Sequence, residues 1–169
     1  MNDFRKRDDN EIEPELLEWL SGVHRIVVAG IGNPLRRDDF VGVKIVKDLQ
    51  GISSSSVYLI ECDTVPENYM EPIISFQPSH ILIIDAALLK LKPGSAKLLN
   101  SKQLMKQHAV STHLLPLRIF CEYLERETKA KIALLLIQPK DANFGEGLTR
   151  EVQNTADYMA KLLLQLLPV

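Results

Sequence analysis

The chain has 169 residues, 46% of them hydrophobic and 25% charged, which is the size and composition of one globular domain. At that length folding buries roughly 70% of the unfolded chain's surface, so the core needs no covalent staples. Twenty Lys and Arg against 22 Asp and Glu leave a formal net charge of −2, which argues against a general nucleic-acid binder, whose affinity rests on excess cationic charge. The two cysteines, Cys62 and Cys121, lie far apart without ligand spacing, which speaks against a disulfide framework and for a reducing compartment.

Residues 1–14 (MNDFRKRDDNEIEP) are polar and mixed in charge, without the apolar stretch of a signal peptide. The longest apolar run near the C-terminus, in KLLLQLLPV, falls far below the ~20 residues of a membrane span. A cytoplasmic protein without a membrane partner is the expectation. Residues 1–22 read as an N-terminal extension in which 12–20 (IEPELLEWL) form a short helix, and residues 23–169 as the domain proper.

Next comes RIVVAG (25–30), a β-branched run ended by glycine, the pattern of a strand buried on both faces. FVGVKIVKDLQ (40–50) spaces its apolar residues for one helical face. A turn over 51–56 leads to a second strand, VYLIE (57–61). Residues 66–76 (PENYMEPIISF) suggest a helix interrupted at Pro72. HILIID (80–85) is the clearest buried strand. KPGSAKLL (92–99) reads as a turn and a short strand at a sheet edge, antiparallel to the rest. The pattern from Thr112 or His113 to Glu127 is helical, with Pro116 tolerable in its first turn. KIALLLIQP (131–139) is another buried strand, and LTREVQNTADYMAKLLLQLL (148–167) a long amphipathic helix with Thr149 suited to its N-cap. Strands alternating with helices imply right-handed βαβ units, hence an α/β fold: one three-layer domain with a twisted, mostly parallel sheet between helices.

In such sheets ligands and catalytic groups gather outside the carboxyl ends of the strands. Three segments lead there. GIGNPLRRDDF (30–40) carries the pair Asp38–Asp39, the HILII strand ends in Asp85, and STH (111–113) places His113 at a helix start. Each has an ordinary alternative: Asp85 as an N-cap, Asp38–Asp39 as anions at a helix start, His113 as a cap or surface residue. Their joint location favours an oxygen/nitrogen site for a divalent transition ion, or an acid/base site. Other chemistries fit poorly. GIGNPL has Leu35 where a dinucleotide fingerprint needs its third glycine. Cys62 sits between Glu61 and Asp63, which raise a thiol's pKa, and Cys121 falls on the apolar face of its helix. His24, His80 and His108 flank elements as structural or exposed residues.

These residues resemble the hydrogenase maturation endopeptidases, which trim the C-terminal tail of the large subunit of NiFe hydrogenases, and are most similar to the HycI type. The resemblance runs over roughly residues 25–165 and is carried by VAGIGNPLRRDDFVGV (28–43), PEN (66–68), LIIDAALLKLKPG (82–94), STHLLPL (111–117) and IQP (137–139), in the family's order. It implies a twisted, largely parallel sheet between helices and metal-binding positions at Asp39, Asp85 and His113. It also implies a nickel ion delivered by the substrate, the hydrogenase large-subunit precursor, so that the isolated protease need carry none. Arg37 and Phe40 stand where the family usually has glycine, and the family's Asp-Gly-Gly after the second strand reads Glu61-Cys62-Asp63, with Glu61 in the aspartate's place.

Peptide hydrolysis then proceeds through an ion that polarises water or carbonyl, with Asp38 a candidate general base. Two rivals stand beside this. GIGNP also resembles the opening of peptidyl-tRNA hydrolases, but their Asn–His spacing and cationic face are missing. A non-catalytic nickel- or subunit-binding chaperone would use the same rim residues.

Overall fold

The structure, a computed structural model, describes residues 12–104, 106 and 114–169. Five strands form one sheet: β1 (Ile26–Gly30), β2 (Val57–Glu61), β3 (His80–Ala86), β4 (Ala96–Asn100) and β5 (Lys131–Ile137). The strand order is β2-β1-β3-β5-β4. The first four of these pair in parallel, and β4 runs antiparallel to β5 at the edge. This is the sheet expected from the alternating apolar runs, its antiparallel edge included.

Alternating side chains send two apolar layers to opposite faces. On one face Ile26, Val28, Leu82, Ile84, Leu135 and Ile137 pack against helices α1 (Ile12–Trp19), α2 (Val41–Asp48) and α6 (Arg150–Leu166). On the other, Val27, Ala29, Ile81, Ile83, Leu134 and Leu136 meet α3 (Met70–Phe76) and α5 (Leu114–Thr128), the latter through Leu117, Phe120, Cys121 and Leu124. A short α4 (Ser101–Leu104) follows β4.

Three local expectations are corrected. The 40–50 helix begins as a 3₁₀ turn over Arg37–Phe40 before α2 proper. Pro72 does not interrupt a helix: a 3₁₀ turn over Pro66–Tyr69 precedes α3, and Pro72 falls in the first turn of α3, where a missing N–H costs nothing. Finally, α1 is no appendage, because Ile12, Leu16 and Leu20 are buried in the α2/α6-side core. His80 anchors it: the ring Nε2 hydrogen-bonds the Trp19 carbonyl at 3.1 Å, Nδ1 meets Ser79 Oγ at 2.9 Å, and the Trp19 ring packs edge-on at 5.1 Å.

The carboxyl rim is held by two buried polar side chains and by glycines. Asp38 is fully buried. Its Oδ2 accepts the backbone N–H groups of Lys140 and Asp141, each at 2.9 Å, its Oδ1 accepts that of Thr149 at 2.7 Å, and the Thr149 hydroxyl donates to the same carboxylate. Thr149 does occupy the N-cap of α6, with an extended backbone, but its hydroxyl serves Asp38 and makes no cap bond. A charged acceptor at the start of a long helix is also favoured by the helix dipole. Gln138, just after β5, does the same for the loop after β3: its Oε1 accepts Leu89 N–H at 2.7 Å and its Nε2 donates to Pro139 O.

Glycine lets α2 settle directly on the strand ends. A Cβ on Gly42 would stand 2.1 Å from the Ile84 carbonyl oxygen and 2.5 Å from that of Ile31, and one on Gly32 (φ +152) 2.0 Å from the Asp39 carbonyl oxygen.

Two consequences are measurable. Asp38→Ala leaves three backbone donors and a hydroxyl without their acceptor, and should cost at least about 3 kcal/mol in urea unfolding, with Asp38→Asn in between. Burial, aided by Lys131 and His24, lowers the His80 pKa below its ordinary value, against the opposing Trp19 hydrogen bond. The folded state therefore binds fewer protons than the unfolded one. Stability from this group is complete above the unfolded pKa of about 6.5 and is lost as pH falls below it. The drop in thermal midpoint between pH 7 and pH 5 should be smaller in His80→Gln than in the wild type.

Candidate active site

Asp39 belongs to the 3₁₀ turn on the first rim loop and is half-buried. Its Oδ2 accepts the Asn33 backbone N–H at 3.0 Å, and its own N–H donates to Arg36 O. Asn33 in turn closes the loop by accepting the Leu35 N–H on Oδ1 at 2.9 Å, an Asx turn. The Asn33 of the GIGNP stretch thus sets both the bend of the loop and the orientation of the Asp39 carboxylate.

Asp85 is the penultimate residue of β3, in register with Leu136 of β5, and is fully buried. One carboxylate oxygen, Oδ1, accepts the Ala86 N–H at 2.9 Å. Strand alternation puts Asp85 on the side of Ile81 and Ile83, the face covered by α5. Gly42, three residues after Asp39, lies against the carbonyl of Ile84, the residue before Asp85. Asp39 and Asp85 therefore share one rim of the sheet. Carboxylates so placed offer hard oxygen donors to a divalent ion, or acid and base functions.

His113 lies outside the described residues, as does His108. The helix that follows His113, α5, packs its described apolar side chains on the face to which Asp85 belongs. Among the described residues no group of three or more His, Cys, Asp and Glu side chains clusters as a metal would require.

The role expected for Asp38 is corrected by its surroundings. Its carboxylate points inward, and its lone pairs are taken by Lys140, Asp141 and Thr149, so it has no oxygen left to draw a proton from water. It positions the loop that carries Asp39. Glu61 lies 3.5 Å from Lys47 of α2, which turns it to the face opposite Asp85. Asp63, in the third position of the Glu61-Cys62-Asp63 segment, has φ 49, and Arg37 has φ 44. Both backbones are left-handed, the conformation that glycine takes without strain. Two of the departures from glycine, Arg37 and Asp63, thus fall where the backbone is left-handed, while Phe40 has a right-handed backbone. Asp63 also accepts the Gly32 N–H on its carbonyl at 2.7 Å.

The thiols are inert. Cys62 is pushed up to about 12, first by burial and then by Asp63 and Glu67. Cys121 is pushed up to about 12 by burial, then by Glu125 and Glu122. Burial, more than the neighbouring acids read from the sequence, keeps both protonated. Gln138 was not singled out by sequence reasoning, although it stands inside the IQP stretch: a polar residue between a buried strand and a proline is the only signal it leaves.

Comparison with known proteins agrees with the fold and with the family resemblance. Residues 43–166 match the HycI family model, described as hydrogenase maturation protease. A Methanocaldococcus jannaschii protein assigned to the hydrogenase maturation proteases is 34% identical over 90% of this chain and 94% of its own. The Hydrogenase 3 maturation protease of Escherichia coli is 24% identical over 78% of this chain and 83% of its own. Among solved structures, the [NiFe] hydrogenase maturation protease HycI from Thermococcus kodakarensis superposes with a TM-score of 0.83 at 30% identity, covering 90% of this chain and 97% of that one. The maturating endopeptidase HybD from E. coli does so with 0.73 at 26%, covering 83% and 90%. By sequence and by fold, the chain belongs to the HycI family of hydrogenase maturation proteases.

Proposed function

We propose that this chain is the endopeptidase that removes the C-terminal tail of a NiFe hydrogenase large-subunit precursor after nickel insertion, and that Asp39, Asp85 and His113 recognise the nickel the precursor carries. The observation that supports this best is the pairing of Asp39 and Asp85 on one rim of the sheet, in a protein whose two thiols are held protonated by burial.

The donor set suits the ion. Two carboxylates supply hard oxygens, and an imidazole adds the nitrogen that favours nickel over magnesium. When bound with the substrate, nickel supplies a Lewis acid that polarises the water or the scissile carbonyl. The chain's own residues do the rest. Asn33 holds one oxygen of Asp39 in place, so that Asp39 presents the other. Asp85 acts from the end of a rigid central strand, and His113, the residue before α5 in sequence, completes the set. Asp38 and Gln138 keep the loops after β1, β3 and β5 in fixed relation, which pre-orients Asp39 and Asp85. Because the ion arrives with the precursor, nickel-free precursor leaves the site incomplete and is spared.

No described helix is long and apolar enough to cross a membrane, and both cysteines are free, which fits action in a reducing compartment such as the cytoplasm. The peptidyl-tRNA hydrolase reading has no support in the site, and the chaperone reading differs from the proposed one only in the absence of cleavage.

Mixed with nickel-loaded precursor, the protein should release a short C-terminal peptide detectable by mass spectrometry, and with nickel-free precursor none. Equal cleavage of both would remove nickel from the recognition step, and no cleavage of either would leave the chaperone. Asp39→Ala, Asp85→Ala and His113→Ala should each slow processing by roughly 100-fold or more, as loss of a general acid/base or electrostatic partner does, with thermal midpoints within about 4 °C of wild type. Cys62→Ala and Cys121→Ala should process precursor at near wild-type rates. A dead Cys62→Ala beside an active Asp85→Ala would mean a thiol protease.

A further inference from the structure

Exposed apolar side chains recur on the rim loops that surround Asp39 and Asp85. Leu35 and Phe144 are 47% and 82% exposed, and Val65, Leu88 and Leu91 are exposed on the loops that follow β2 and β3. Singly exposed apolar residues are ordinary; a group of them around one site marks an interaction surface.

Leu35 and Phe144 start from neighbouring backbone positions. Arg36 and Gly145 form a parallel bridge, in which the Gly145 N–H donates to Leu35 O at 2.8 Å and the Arg37 N–H to Gly145 O at 3.0 Å. The Asn143 N–H is tied to Asp141 Oδ1, Arg36 Nε donates to Ala142 O, and the Asp38 carboxylate lies behind the pair of loops. The loop that shows Phe144 to solvent is therefore fastened at several points. A large aromatic ring on a fixed backbone loses little conformational freedom when it is buried, and that favours its use as an interface anchor.

We propose that Leu35 and Phe144, continued by Val65, Leu88 and Leu91, form an apolar collar on which a nonpolar surface of the large-subunit precursor docks as its tail enters the site. This rests on the proposed function for its occupant. The argument for that occupant is continuity: Leu35 is two residues from Asn33, whose N–H holds Asp39, so the pair borders the site at which the precursor's tail would be cut. The collar supplies affinity that does not depend on nickel, and the rim carboxylates then test for the ion.

The test uses the full-length protein with Leu35→Ser and Phe144→Ser, singly and together. Leu164→Ser is the control: it replaces a side chain of similar exposure some 14 residues into α6, roughly 20 Å along the helix from the rim. Binding to nickel-free precursor is read by interferometry, cleavage of nickel-loaded precursor by mass spectrometry, and self-association by sedimentation. The double variant should bind nickel-free precursor about tenfold more weakly and show a KM raised by about the same factor, with kcat within about twofold, while Leu164→Ser matches wild type. Wild-type binding and KM in the double variant would overturn the collar even if cleavage proceeds as proposed. If wild type cleaves nothing, the proposed function fails, and the binding arm still decides the collar. A wild-type dimer that becomes monomeric in the double variant would assign the patch to a second copy and overturn the inference.

Discussion

The rim of this protein depends on one buried charge. Asp38 lies wholly out of water, a placement that is strongly unfavourable for an unaccompanied carboxylate. Three backbone N–H groups, a hydroxyl and the N-terminal end of α6 offset it. Its donors come from residues 140–149, so the first and last rim loops can separate only by stranding a charge and its donors together. Successive side chains in a 3₁₀ turn point about 120° apart. With Asp38 committed inward, Asp39 is turned toward the rim, and the acidic pair divides into one structural and one chemical residue.

That division could not be read from the sequence. Adjacent aspartates offer no sign of which will face inward, because the donors that decide it are backbone amides some 100 positions away, and backbone amides have no sequence signature. Thr149 was visible as an N-cap candidate, but not the acceptor its hydroxyl would serve. Gln138 was hidden for the same reason, since its partners are the N–H of Leu89 and the carbonyl of Pro139. The sheet was legible because β-branched runs such as RIVVAG and HILIID bury both faces, and that pattern belongs to the strand alone. Asp85 was legible because an acid ending such a run is conspicuous. The integration of α1 was not, because nothing in IEPELLEWL indicates that His80, over 60 residues later, receives its C-terminal end.

The departures from the family's glycines follow a related rule. Arg37 and Asp63 have left-handed backbones, a conformation that costs a non-glycine residue of order 1 kcal/mol or more. Both lie where the chain is pinned on each side. The Arg37 N–H donates to Gly145 O and its side chain lies 3.5 Å from Asp141, while Asp63 O receives the Gly32 N–H. Hydrogen bonding around each residue offsets the strain of holding a non-glycine residue in that conformation.

A rigid rim has a consequence for the proposed chemistry. Flexible carboxylates relieve their mutual repulsion by moving apart into solvent, and a cation must then supply the energy to gather them. Here Asp39 is held through Asn33, and Asp85 stands in the ladder with β5, one residue past the last β1 pair, so neither can move far. Under the proposed function, an ion entering with the precursor would meet carboxylates whose positions are already set. A site built this way gains more from a dication than a compliant one does. Under the proposed function, a site with few protein donors would hold a free ion weakly and engage firmly only when the ion arrives already bound to the precursor. Under the proposed function, the buried Asp38, by fixing the loop, would hold the half-buried Asp39 beside the rim end of the strand that carries the buried Asp85, ready for an ion that the precursor brings.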